Sequence, residues 1–317
     1  MTHNITLICP AYNEQDSIGN FLRDIDSIVA PLLDSFCFQV VIVNDGSSDN
    51  TRAVVSDYRA QHFDLTLCNF TRNFGKEAAI VAGLERYSGD AFIIMDTDLQ
   101  HPPTLITQML EQWQAGHKVV ESVKSHRGEE SATYKFFSQL FYHSLYALSS
   151  LQLQNQSDYK LLDAEVVAAL RQLPEKQRFF RGLVEWLGYP SMKISFEVPL
   201  RENDSSSWSL WGLFKYSIYN LTSLTSAPLH LVTLIGILML FISALFGSIT
   251  LYQWFLGEAL TGFTTVILLL LFIGSVLMVS LGLIGLYISR IYDEIKARPI
   301  FLIKDEITRK ANKLNIP

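Results

Sequence analysis

Cysteine is scarce in this sequence. Cys9, Cys37 and Cys68 are the only three in 317 residues. An odd number without metal-ligand spacing argues against a disulfide framework or a thiolate metal site, and it fits a reducing compartment. Basic charge is not in excess either. The 25 Lys and Arg against 31 Asp and Glu leave a net charge of −6, so nothing points to a nucleic-acid partner. The amino-terminal "MTHNITLICPAYNEQ" lacks the basic region, long apolar segment and small-residue cleavage site of a secretory signal. Internal repeats and low-complexity segments are missing. No Gly-x-x-x-x-Gly-Lys-Ser/Thr loop occurs, and no Gly-x-Gly-x-x-Gly follows a strand, so neither a P-loop enzyme nor a dinucleotide oxidoreductase is supported. "DGSSDN" fails as an EF-hand, because the twelfth position counted from Asp45 is Ser56 rather than Glu.

Charge is missing altogether from two stretches, Leu229 to Leu251 and Thr264 to Ile288, which contain no Asp, Glu, Lys or Arg. Each exceeds the ~20 residues that cross a bilayer core of roughly 30 Å. The link between them, "YQWFLGEALTGF", has no Lys or Arg, whereas Arg201 and Lys215 precede the pair and Arg290, Lys296 and Arg298 follow it. The positive-inside rule then puts both ends in the cytoplasm, with a short external hairpin carrying Trp254. The expected plan has four parts: a soluble domain over 1–204, a juxtamembrane segment over 205–228, two transmembrane helices within 229–289, and a cytosolic tail over 290–317. Trp208, Trp211, Phe214, Tyr216 and Tyr219 suit the juxtamembrane segment to an amphipathic helix in the headgroup layer.

The soluble part alternates apolar runs with helical patterns. Strands are expected at Ile5–Cys9, in "FQVVIVN" ending at Asn44, at Leu65–Phe70, Ala91–Met95 and Lys118–Ser122. Helices start near Asp16 and Asp49. Uninterrupted apolar strands separated by helices predict an α/β fold with a mostly parallel sheet, buried on both faces. Three of these strands run into acids: Glu14 after the first, Asp45 after the second, and the pair Asp96 and Asp98 after the fourth. Open α/β sheets bind ligands outside the carboxyl ends of their strands. Clustered carboxylates repel one another unless a cation neutralises them. Oxygen ligands select a hard divalent ion such as Mg²⁺, which keeps substrate phosphates among its other ligands. That chemistry suggests a metal-bound diphosphate and hence a nucleotide donor.

The motifs "CPAYNE" (9–14), "VNDGSSDNT" (43–51), "RNFGKEAA" (72–79), "DTDLQHPP" (96–103), "LPEKQRFFRGL" (173–183) and "YISRIYDEIKARP" (287–299) resemble the polyprenyl-phosphate branch of the family 2 glycosyltransferases. That branch includes bactoprenol glucosyltransferases and dolichyl-phosphate mannose synthases. The resemblance covers nearly the whole chain and implies a GT-A domain. It places Pro10, Tyr12, Glu14, Asp45, Lys76 and Asp96 on a nucleotide-sugar, UDP-glucose first. Asp98 and Gln100 would ligate Mg²⁺ or Mn²⁺. The implied acceptor is polyprenyl phosphate, whose charged head would meet Lys124, Arg127, Arg178, Arg181 and Arg201. Arg178 and Arg181 are three apart on an expected helix and share a face. The implied catalytic set is Asp98, Asp158 and Arg127, with Asp158 orienting the nucleophile or a sugar hydroxyl, and inversion at the anomeric carbon. The lipid bilayer read from the apolar stretches is a further expected partner, and a homo-oligomer and a downstream flippase are left open.

The chain departs from the family at four positions. Lys124 and Lys160 stand where the family often has Arg, which keeps the charge but loses the bidentate fork. In "RENDSSSWS" the usual Gly and basic residue give way to Asp204 and Ser207. Two rivals remain open. A haloacid-dehalogenase-type phosphatase also ends a strand with Asp-x-Asp, but it needs Thr or Val where this chain has Gln100. The other is a membrane-tethered scaffold that binds nucleotide-sugar without turnover.

Overall fold

In the computed structural model, which describes residues 2–98, 101–124, 156–175, 179–196, 227–256 and 262–311, the first apolar run folds as strand β1 (His3–Ala11), buried from Ile5 onward. Strands β2 (Phe36–Asn44), β3 (Asp64–Phe70) and β4 (Ala91–Ile94) join it in parallel, in the order β4-β1-β2-β3. Alternation with period two then sorts their side chains. Ile5, Leu7, Cys9, Val40, Ile42 and Ile93 face one way and pack on helices α1 (Ile18–Val29) and α4 (Leu105–Gln114). Between these helices in sequence lie α2 (Thr51–Asp57) and α3 (Lys76–Arg86). Ile8, Val41, Val43, Phe92 and Ile94 face the other way, toward α3. Helix α1 commits to its face through Ile18, Phe21, Leu22, Ile25 and Val29, the spacing of an amphipathic stripe. Cys9 and Cys68 are buried core thiols, and burial pushes both up, with Asp96 adding to the effect on Cys9.

The sheet has eight strands, in the order β7-β5-β6-β4-β1-β2-β3-β8. The expected strand at Lys118–Ser122 is β5 (Val119–Lys124). Three further strands escape the sequence reading: β6 (Gln156–Asp163), β7 (Ser191–Phe196) and β8 (Ile303–Arg309). Strand β6 is inserted antiparallel between β4 and β5, while β7 runs parallel to β5. Helices α5 (Ala164–Gln172) and α6 (Phe180–Trp186) cover the α3 side of the sheet. β8 lies antiparallel on β3. The segment expected to be a tail therefore supplies an edge strand of the sheet.

The chain divides into two compact units: Met1–Ser207 together with Pro299–Pro317, and Trp208–Arg298. The second contains α7 (Ala227–Phe255) and α8 (Phe263–Ile295), of 29 and 33 residues, which touch one another. Their apolar windows, Val232–Thr250 and Phe272–Ile295, are 0% buried within the protein. Unburied apolar helices of this length suggest membrane association. Helix α8 continues past the uncharged stretch through Arg290, Asp293 and Glu294. The juxtamembrane helix expected over 205–228 falls almost wholly on residues outside those described.

Candidate active site

The ends of β1, β2 and β4, the start of β6 and the starts of two helices, α3 and α6, build the site. The chain leaves β1 through Pro10, Tyr12 and Glu14. The Glu14 carboxylate accepts the Ser17 hydroxyl, and its N–H donates to Thr51 Oγ1 at 2.8 Å. After β2, buried Asp45 accepts the N–H groups of Phe74 at 2.7 Å and Gly75 at 2.8 Å. Burial raises its carboxyl above the ordinary value, opposed by those two donors. Asp45 thus fastens the "RNFGK" loop. Gly46 makes that closeness attainable: its φ is +67°, and a Cβ there would collide with the backbone of Arg72 and Asn73.

The fastened loop delivers Lys76, the first residue of α3, to the acids. Its Nζ lies 2.6 Å from Asp96 Oδ1 and 2.6 Å from Asp158 Oδ2. On α6, Arg181 donates through Nε to Asp158 Oδ1 at 2.5 Å and through Nη2 to Oδ2 at 2.8 Å. Burial pushes the Asp158 carboxyl up, but Arg181 and Lys76 outweigh it and hold the group below the usual carboxylate range. Burial also draws the Lys76 ammonium down, and Asp158 and Asp96 more than reverse this. Pro10, Tyr12, Glu14, Asp45, Lys76, Asp96 and Asp98 line a single cavity of about 320 Å³. The Tyr12 ring is exposed.

Beside the Asp-x-Asp pair stands His101, to which the sequence reading gave no role. Ligand atoms of Asp96, Asp98 and His101 lie within 4.8 Å of one another. The His101 ring is buried against Tyr159 and Phe196, with Nε2 3.3 Å from the Ser157 hydroxyl, which leaves Nδ1 on the Asp96 side at 3.7 Å. Two carboxylates and an imidazole fit Mg²⁺ or, better with a nitrogen ligand, Mn²⁺. The expected ligand pair was Asp98 and Gln100. Asp98 belongs to this set, and Gln100 lies outside the described residues. A histidine three residues beyond the second acid was the available signal.

Two of the expected acceptor cations, Arg181 and Lys124, lie among the described residues. Arg181 joins the site through Asp158. Lys124 closes β5, opposite Phe196 of β7. Arg127, Arg178 and Arg201 lie outside the described residues, as do Asp204 and Ser207. Lys160 lies two residues after Asp158 on the same face of β6. It is fully buried and paired with Glu121 of β5, so its charge serves the sheet. Burial draws its ammonium down, opposed by Glu121.

Glu77 accepts the Phe180 N–H at 2.9 Å and so ties α3 to the start of α6. Burial, with Asp158 adding to it, pushes its carboxyl up to about 7. The folded chain therefore holds a proton there that the unfolded chain releases near pH 4.5. The stability gained from that proton is complete below the unfolded value and is lost as pH rises through about 7. Gln keeps the acceptor without the charge. The Tm of Glu77→Gln minus that of the wild type is expected to grow from pH 5.5 to pH 8. A difference independent of pH would contradict the assignment.

The family model for "Glycosyl transferase family 2" matches residues 6–169. A relative named bactoprenol glucosyl transferase, from Shigella phage SfV, is 32% identical over 304 residues, 95% of this chain and 98% of its own length. A prophage bactoprenol glucosyl transferase homolog from Escherichia coli is 30% identical, over 95% and 98% of the two chains. Among solved structures, glucosyl-3-phosphoglycerate synthase from Mycobacterium tuberculosis in complex with uridine diphosphate superposes with a TM-score of 0.50 at 22% identity, covering 70% of this chain and 79% of that one. The likeness is one of fold, a GT-A-like mixed α/β sheet.

Proposed function

The chain belongs to glycosyl transferase family 2, and from that membership we propose that it moves a sugar, glucose first, from a UDP-sugar to polyprenyl phosphate at the cytoplasmic face of a cell membrane. The observation that carries the reading is the convergence of three acidic strand ends and Lys76 on one cavity. Two unburied apolar helices on the same chain and the names of the relatives support a lipid-linked acceptor.

In this reading the exposed Tyr12 ring offers a face to the nucleoside base, with Pro10 and Glu14 beside it. Asp96, Asp98 and His101 would hold Mg²⁺ or Mn²⁺, which when bound neutralises charge on the leaving diphosphate. Lys76 adds positive charge at the same end of the cavity. Asp158 keeps Arg181 and Lys76 together and aimed. Arg181, with Lys124, Arg127, Arg178 and Arg201, would receive the acceptor phosphate. That phosphate is already an anion, so no strong base is required. Asp158, ionised and bonded through both oxygens, acts as an orienting group. Catalysis then rests on position and charge, and a single displacement at the anomeric carbon inverts its configuration. Both apolar helices span the membrane, with both chain ends in the cytoplasm.

The test offers detergent-purified protein polyprenyl phosphate and a panel of radiolabelled UDP-glucose, UDP-N-acetylglucosamine and GDP-mannose. Label is expected in the organic phase, dependent on Mg²⁺ or Mn²⁺, and greatest from UDP-glucose. Donor binding without transfer of any sugar would favour the scaffold reading instead.

A further inference from the structure

Strand β8 reaches the donor pocket through a directed chain of hydrogen bonds. Asp305 stands opposite Asn69 of β3. Asn69 Nδ2 donates to Asp305 Oδ1 at 2.6 Å, and Arg52 Nη2 donates to Asp305 Oδ2 at 3.0 Å. Asn69 Oδ1 accepts from Asn44 Nδ2 at 2.8 Å, and Asn44 Oδ1 accepts the Ser47 N–H at 3.1 Å. The loop after β2 then grips the loop after β1. The Asn13 N–H donates to Ser47 Oγ at 3.0 Å, and the Ser48 N–H donates to Asn13 Oδ1 at 2.9 Å. Asn13, at φ +55°, separates Tyr12 from Glu14, and both of those line the cavity.

We propose that Asp305 is a positioning residue for the nucleotide-sugar pocket, acting through Asn69 and Asn44 on the loops that carry Tyr12, Glu14 and Asp45. The inference rests on the donor reading of that pocket. A carboxylate only accepts, whereas each primary amide presents a donor at one end and an acceptor at the other. The acceptor at Asp305 therefore makes Asn69 turn its NH₂ toward β8 and its oxygen toward Asn44. Asn44 must in turn give its oxygen to the Ser47 N–H. Asn44 and Asn69 are only 3% and 2% exposed, so water does not compensate a flipped amide. Without the carboxylate the chain loses its fixed sense, and an Asn44 turned the other way would put NH₂ against N–H. The left-handed Asn13, held by the same loop, then loses its seat. In this way the strand that follows the apolar helices shapes the donor site at the opposite end of the sequence.

The experiment titrates UDP in MnCl₂ into the full-length, detergent-purified protein. Asp305→Leu is expected to weaken UDP binding roughly five- to tenfold, the cost of an orphaned buried amide. The KM for UDP-sugar should rise by the same factor with kcat unchanged. Asp305→Asn, whose amide oxygen still accepts from Asn69, should recover most of the affinity. Asn69→Thr cuts the chain at its middle while leaving the β3–β8 pairing, and it should reproduce the Leu loss even if Asp305→Leu does not fold. Variants that melt lower yet bind UDP as tightly as the wild type would overturn the proposal, reducing β8 to a structural edge. A wild-type protein that binds no UDP would overturn the donor reading and this inference with it.

Discussion

Asp98→Ala is expected to lower sugar transfer by about a thousandfold or more while the protein stays folded, about 4 kcal/mol of transition-state stabilisation. The size follows from what remains. Asp96 already shares its charge with Lys76 through contacts of 2.6 and 2.8 Å, and His101 is neutral as a ligand. One shared carboxylate and one imidazole make a poor site for a hard dication, which needs oxygen ligands and charge. The fold should not suffer, because Asp98 lies in the loop beyond β4 and belongs to none of the three buried apolar clusters. A melting curve within about 1 kcal/mol of the wild type is the control. Near-normal turnover by the folded variant would remove Asp98 from the chemistry.

The largest loss of stability is expected from Lys160→Met. Glu121 and Lys160 are 1% and 0% exposed, and they pair across β5 and β6 in the interior of the sheet. Glu121 Oε2 has no hydrogen-bond partner among the described residues, and among them Lys160 is the cation paired with that carboxylate. Removing one partner of a buried pair costs about 3–5 kcal/mol, because the other charge is left stranded in a poor solvent. Against a total stability of about 5–15 kcal/mol, such a loss lowers the melting temperature severely. The double variant Glu121→Leu/Lys160→Met removes both charges and should recover most of the loss. Equal destabilisation in the single and double variants would mean that Lys160 contributes by packing and not by neutralising Glu121.

The legible part of the molecule was the part with a single, strong pattern. Strands β1, β2 and β4 are buried on both faces, so their apolar runs stand out, and their ends carried the acids that meet at the cavity. Strand β6 was not legible. "QSDYKLLD" puts Asp158 and Lys160 on one face, and in the fold both are buried against opposite charges distant in sequence, Arg181 and Lys76 on Asp158 and Glu121 on Lys160. The sequence shows Lys160 only as a Lys where the family often has Arg; in the fold it pairs with a carboxylate on the next strand. Strand β8 was hidden for another reason. "IKDEITR" alternates partly buried with exposed residues, as an edge strand does, and its charges resemble those of a solvated tail. Only its pairing with β3 distinguishes the two. His101 was present in a quoted motif, but nothing local marks a histidine as facing the acids rather than packing in a core. The cations named for the acceptor were chosen by charge. Charge does not say what each cation meets in the fold, and Arg181 is held by Asp158.

The central claim is that Asp96, Asp98 and His101 would hold a divalent cation, which would supply positive charge to the diphosphate of the nucleotide-sugar. Titration calorimetry of UDP with and without Mn²⁺, on the wild type and on Asp98→Ala, tests it most directly. The account predicts that Mn²⁺ tightens UDP binding to the wild type by at least about tenfold, about 1.4 kcal/mol, and does nothing for the variant. Equal UDP affinity with and without the ion, or an equal Mn²⁺ effect in both proteins, would contradict it.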